Sequence, residues 1–357
     1  MGLTMPVVWS DRCRLHDPGG EIFVGVRTPG TEVVARSDAI LAELAEVDAR
    51  VVDAEQHPDG ALQAVHDTAL LEFLESAWDE WTGAGLDRER DQDRVVPYVF
   101  AHAALTSGRP AALPTAVWAK TGYFAYDTMT LIGPGTWDAA RAAVDVALTA
   151  VDLVVAGASS AYACCRPPGH HVCRGCYGGS CYLNNSAVAT AALAEKFGGT
   201  VAVLDIDAHH GNGTQEIFYE RADVLVGSVH VDPGAGWFPH FVGFADEVGS
   251  GAGAGANKNL PQPPGSGDDT WLAAVDELAS WARTEGAMSL VVPLGVDAAA
   301  GDPESPLRVS ANGFRGAGRV LGKLRLPTVL VQEGGYDLEA LGPLVREVLL
   351  GVEEGAA

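Results

Sequence analysis

The stretch Val201-Ala202-Val203-Leu204-Asp205-Ile206-Asp207-Ala208-His209-His210-Gly211 reads as a short apolar strand that runs directly into carboxylates and imidazoles. Residues 205, 207 and 209 are spaced by two. On extended backbone they share one face, so two carboxylates and an imidazole converge at the strand end. Crowded carboxylates are costly unless a cation neutralises them. Asp with His suits Zn2+, and a catalytic zinc takes three protein ligands and keeps one position for water.

Working outward, the same design repeats. Apolar runs at 224–229, 289–294 and 328–332 lead into His230-Val231-Asp232, Gly295-Val296-Asp297 and Glu333-Gly334-Gly335-Tyr336. A run at 161–165 precedes Arg166-Pro167-Pro168-Gly169-His170-His171. Between and before them lie amphipathic stretches at 32–47, 135–155, 184–197, 268–284 and 311–324. This alternation predicts an α/β fold with a central, mostly parallel sheet flanked by helices. Chemistry in such folds gathers at the carboxyl ends of the strands, where these clusters fall. No linker divides the sequence, so one domain over residues 1–357 is expected. The Gly-rich segment 249–267, with Pro261, Pro263 and Pro264, predicts a long surface loop.

Asp297 offers a third anionic ligand beside Asp207 and His209. Amide hydrolysis needs a base for water and an acid for the leaving amine, and a histidine pair such as His170–His171 supplies both near neutral pH. Tyr336 can donate to a developing oxyanion. With 23 Lys and Arg against 47 Asp and Glu, the net charge of −24 disfavours nucleic acid and anionic membrane and attracts cations. The apolar stretch 139–165 carries Arg141, Asp145 and Asp152, unlike a membrane span. Residues 1–11 lack the basic start and apolar run of a secretory signal, and the six cysteines are irregularly spaced; both point to the cytoplasm. Cys173-Arg174-Gly175-Cys176 has no second pair at zinc-site spacing and is expected to be a loop with two free thiols, a redox-sensitive pair beside the site being the alternative.

Arg-Pro-Pro-Gly-His-His (166–171), Asp-Ile-Asp-Ala-His-His-Gly-Asn-Gly-Thr (205–214), Gly-Val-Asp (295–297) and Glu-Gly-Gly-Tyr (333–336), in that order, resemble the histone deacetylase and acetylpolyamine amidohydrolase superfamily. The resemblance covers roughly residues 57–352, including His66-Asp67, Gly179–Asn185 and Gly243–Glu247. It implies the arginase-deacetylase fold and one zinc per chain on Asp207, His209 and Asp297. His171 is implied as general base beside His170, and Tyr336 as oxyanion donor. It further implies a structural potassium ion near Asp205, Ser228 and Val229, with backbone carbonyls of Asp207 and His209. Asp205 would orient His170 and Asn212 would support His171, where some relatives carry Asp. Arginase and agmatinase resemble this region but hold two manganese ions with extra carboxylates where this chain has Gly211 and Gly295, so a single metal is expected.

For the substrate, Glu304 resembles the gatekeeper carboxylate of polyamine deacetylases, which favours a small cationic acylated amine such as an acetylpolyamine. Asp127 resembles the rim Asp that grips substrate. Ser180, after Gly179, replaces an aromatic wall of the relatives, leaving Trp237 and Phe238 as candidate walls and predicting a wider or more polar channel. The alternatives are a protein lysine deacylase and a deacylase of a bulkier small-molecule amide. Resemblance to bacterial relatives also implies a homodimer.

Overall fold

The computed structural model describes residues 2–89 and 92–357. Its centre is an eight-stranded sheet built from β1 (Val7–Trp9), β4 (Val51–Asp53), β5 (Ser160–Ala163), β6 (Val201–Asp205), β7 (Val224–Val231), β8 (Asn257–Gln262), β9 (Ser289–Leu294) and β10 (Thr328–Gln332). Their order across the sheet is β4-β1-β5-β10-β9-β6-β7-β8, and every neighbouring pair is parallel. A separate antiparallel hairpin, β2 (Glu21–Phe23) with β3 (Val26–Thr28), stands apart.

The inner strands are buried along their whole length, which is why they read as continuous apolar runs. Helices flank them in two groups. Thr136–Val155 and Asn185–Phe197 pack on each other, while Ala35–Ala45, Asp268–Thr284, Ala311–Gly322 and Leu338–Ala356 form a second assembly. Side-chain caps fix where several helices start: Asn184, Ser310 and Asp337 each accept a backbone N–H of the following first turn. Within Thr136–Val155, the buried Asp145 takes a hydrogen bond from Arg141 at 2.6 Å, so its charge is compensated one turn away. No helix among the described residues is long and apolar enough to cross a membrane.

The segment expected to be a surface loop contains β8. Asn257–Gln262 pairs with β7 in parallel register from Val226↔Asn257 to Val231↔Gln262. Pro261 is tolerated there because β8 is the sheet edge. Asn257 and Asn259 are buried and donate to Gln215 Oε1 at 2.9 and 2.8 Å. A strand buried through amides does not show as an apolar run.

Candidate active site

Four adjacent strands, β5, β10, β9 and β6, deliver the four sequence clusters to one end of the sheet. Asp207, His209 and Asp297 meet there, with ligand atoms all within 4.8 Å of one another. His209 Nδ1 lies 3.0 Å from Asp297 Oδ2 and 3.4 Å from Asp207 Oδ1. The opposite nitrogen, Nε2, is 3.0 Å from the backbone oxygen of Glu304. A proton on Nε2 donated to that carbonyl leaves the Nδ1 lone pair facing the carboxylates, the arrangement of a metal-ligating histidine. Backbone N–H groups also hold these carboxylates: Ala208 donates to Asp297 Oδ1 at 2.8 Å, His209 to Asp207 Oδ1 at 2.8 Å and Gly334 to Asp207 Oδ2 at 2.7 Å. Burial, then the charge on Asp207, pushes the Asp297 carboxyl up to about 7, a repulsion that a cation would relieve. Two buried carboxylates and an oriented imidazole fit Zn2+. Side chains are excluded at the two neighbouring glycines, since a Cβ at Gly295 would lie 2.0 Å from Asp207 Oδ2 and one at Gly211 2.4 Å from Asp205 Oδ2.

The His170 and His171 rings lie 4.0 Å apart, tilted by 46°, yet differ in partner. His170 Nδ1 lies 2.9 Å from Asp205 Oδ2; His171 Nδ1 lies 2.7 Å from Asn212 Oδ1. Burial opposes a charge on His170, but Asp207, Asp205 and Glu333 outweigh it and hold its pKa up at about 10. Burial, with the charges of His170 and His209, drives His171 well below its ordinary value. The two adjacent imidazoles are thus pushed in opposite directions by their surroundings. The backbone of the pair is anchored by Glu333, whose Oε2 accepts the Gly169 and His170 N–H groups at 2.7 and 3.1 Å. Tyr336 follows on the same loop. Arg36 lies 4.7 Å from its ring centroid and donates to the carbonyls of Gly335 and Glu333 at 2.7 and 2.5 Å, fixing the loop from below.

A cavity of about 70 Å³ opens above these groups, lined by His171, His209 and Tyr336 with Gly179, Ser180, Phe238, Glu304, Glu21, Thr31 and Met129. Gly179, at φ +61°, has no alternative residue type: a Cβ there would lie 2.4 Å from the His171 ring. Phe238 meets His171 edge-on at 4.8 Å. Trp237 is not among the lining residues and packs half-buried on the core. Asp127 borders the groove outside, its carboxylate accepting N–H bonds from Gly179, Met129 and Thr130 at 2.6, 2.9 and 2.9 Å; it shapes the Gly179–Ser180 turn. Glu304 Oε1 accepts from Thr31 Oγ1 at 2.9 Å, and burial beside Glu304 raises the nearby Glu21 carboxyl to about 7. Asp205 and Ser228 are register partners on β6 and β7, and Ser228 Oγ lies 2.8 Å from His230 Nδ1. Sequence reasoning missed Glu21, Thr31, Met129 and Arg36. Glu21, Thr31 and Arg36 lie far along the chain from the motifs, Met129 stands two residues past Asp127 without a reactive group to single it out, and a single Glu in a three-residue strand carries no local signal.

The sequence pattern of the histone deacetylase domain matches residues 31–352. The chain belongs to that family. Members of this family are hydrolases of the deacetylase type, and the described architecture is the arginase-deacetylase fold. The chain is 41% identical over 351 residues to acetylpolyamine amidohydrolase 1 of Pseudomonas aeruginosa, covering 98% of this chain and 99% of that one. It is 38% identical over 349 residues to acetylpolyamine amidohydrolase of Mycoplana ramosa, with the same coverage. The crystal structure of acetylpolyamine aminohydrolase from Burkholderia pseudomallei superposes with a TM-score of 0.92 at 38% identity, covering 99% of each chain. The family's deacetylase character fits the histidine pair, the tyrosine and the metal-ligand set brought together here.

Proposed function

We propose that this chain hydrolyses the acetyl amide of a small cationic amine, of the acetylpolyamine class, releasing acetate and the free amine. The observation that carries the reading is the pair Glu304 and Glu21 in the wall of a cavity that also exposes His171, His209 and Tyr336. Carboxylates there pair with a distal ammonium and disfavour neutral chains. The names of the full-length relatives agree.

Asp207, His209 and Asp297 would hold one Zn2+, which supplies Lewis acidity when bound. His171, neutral and with Nδ1–H fixed on Asn212 Oδ1, takes a proton from the attacking water through its free Nε2. The Tyr336 hydroxyl donates to the oxyanion as it forms. The amine then leaves with a proton from the histidine pair, in which Asp207, Asp205 and Glu333 raise the pKa of His170. Asp205, Ser228 and Val229, with the carbonyls of Asp207 and His209, would hold K+; the pairing of Asp205 with Ser228 across β6 and β7 supports this. We also read residues 1–357 as one domain, acting in the cytoplasm, with exposed Phe23, Val24 and Phe241 as surface that a homodimer would cover.

The test compares kcat/KM on acetylated polyamines with that on acetyl-lysine peptides. A preference for peptides would replace this reading with a protein lysine deacylase. Asp297→Ala is expected to abolish turnover together with metal retention, and zinc-dependent turnover in that variant would refute the ligand set.

A further inference from the structure

Cys173 and Cys176 lie in the turn just after the histidine pair. The Cys173 N–H donates to the Cys176 carbonyl at 2.9 Å, which closes the turn and sets the two thiols beside each other. Both are half-buried and line the groove outside the cavity together with Phe238 and Phe241. The other four cysteines are buried. Burial pushes the thiols of Cys13 and Cys164 up to about 12 and those of Cys165 and Cys181 well up too, so they are poor nucleophiles. Among the described residues no third ligand joins Cys173 and Cys176 in a metal cluster. Cys173 Sγ lies 3.9 Å from Asn212 Nδ2, on the amide whose oxygen holds His171. The other contacts of that nitrogen, to the His171 carbonyl and Tyr126 hydroxyl, are long at 3.4 and 3.5 Å.

We propose that Cys173 and Cys176 form a reversible disulfide under peroxide, and that closing it slows hydrolysis by loosening Asn212 and therefore His171. The effect on rate rests on His171 being the base. Cys176 is the attacking thiol, because the neighbouring Cys173 thiol lowers its pKa. Its sulfur bonds one peroxide oxygen, the O–O bond breaks, and one water leaves behind a sulfenic acid. Cys173 sulfur then attacks that sulfur, the S–O bond breaks, and a second water leaves. Two thiols lose two electrons and two protons, and hydrogen peroxide becomes two waters. A dithiol reductant reverses the bond by exchange.

The zinc-loaded enzyme is treated with hydrogen peroxide, digested under non-reducing conditions and assayed. The expected result is a Cys173–Cys176 crosslink two hydrogens lighter, kcat lower by about tenfold with KM little changed, and recovery with dithiothreitol. Cys176→Ser is expected to keep basal activity and lose the peroxide response. Absence of the crosslink, or a crosslinked enzyme with full kcat, overturns the proposal. Full turnover in His171→Ala would instead count against the base, and the crosslink would stand on its own.

Discussion

Asn212 is one hydrogen bond behind His171, and its amide oxygen decides which ring nitrogen carries the proton. Asn212→Ala is expected to lower kcat by about tenfold with zinc content unchanged. Asn212→Asp adds a charge that favours imidazolium. Since His171 is held below its ordinary pKa, the acid limb of kcat/KM lies below pH 6.5 in the parent and moves upward in this variant. A limb that stays put would take His171 out of the base role. Glu304 acts at the other end of the cavity. Glu304→Leu is expected to lower kcat/KM by about tenfold on acetylated polyamines while sparing a neutral acetamide of similar length. Equal loss on both would remove the ammonium partner.

At the scale of elements, the site depends on β6 and β9 ending side by side. Their closeness leaves no room at Gly295, where any Cβ would collide with Asp207. Gly295→Ala is expected to fold, as read by circular dichroism, and to bind zinc at least about tenfold more weakly; parental zinc content would show that the strand ends can spread. The buried strands β5, β6, β7, β9 and β10 were legible because burial on both faces demands unbroken apolar runs, and each motif follows its strand. The three-residue strands β1 and β4 are too short for any period to register. β8 escaped because Asn257, Asn259 and Gln262 are buried polar residues. The convergence of Asp207, His209 and Asp297 and of the histidine pair was legible because a strand end fixes their spacing locally. Glu21, on a hairpin remote in sequence, comes to the cavity only through the tertiary fold.

At the scale of the whole molecule, the net charge of −24 creates a field that draws in cations. If polyamine capture uses it, kcat/KM on cationic substrates is expected to fall as salt rises from 0.05 to roughly 0.5 M, while a neutral acetamide shows little change. Acid stability follows from buried neutral imidazole. His66 has both ring nitrogens engaged, Nδ1 with the Cys173 carbonyl at 3.1 Å and Nε2 with the Asn184 N–H at 2.9 Å. Burial lowers its pKa from 6.5 to about 4. The unfolded chain therefore takes the proton first, so the stability from His66 is complete above pH 6.5 and drains as pH falls towards 4. His66→Gln, which keeps a donor and an acceptor, is expected to flatten the fall of Tm across that range; an unchanged slope would mean that His66 does not titrate on unfolding.

The hydrogen bond that orients His209 ends on the main-chain oxygen of Glu304, an atom that every amino acid brings to that position. Mutation at 304 is therefore expected to change what the mouth of the cavity admits while His209 keeps its support. A lineage carrying this arrangement is free to explore new amines by single substitutions without passing through a dead enzyme.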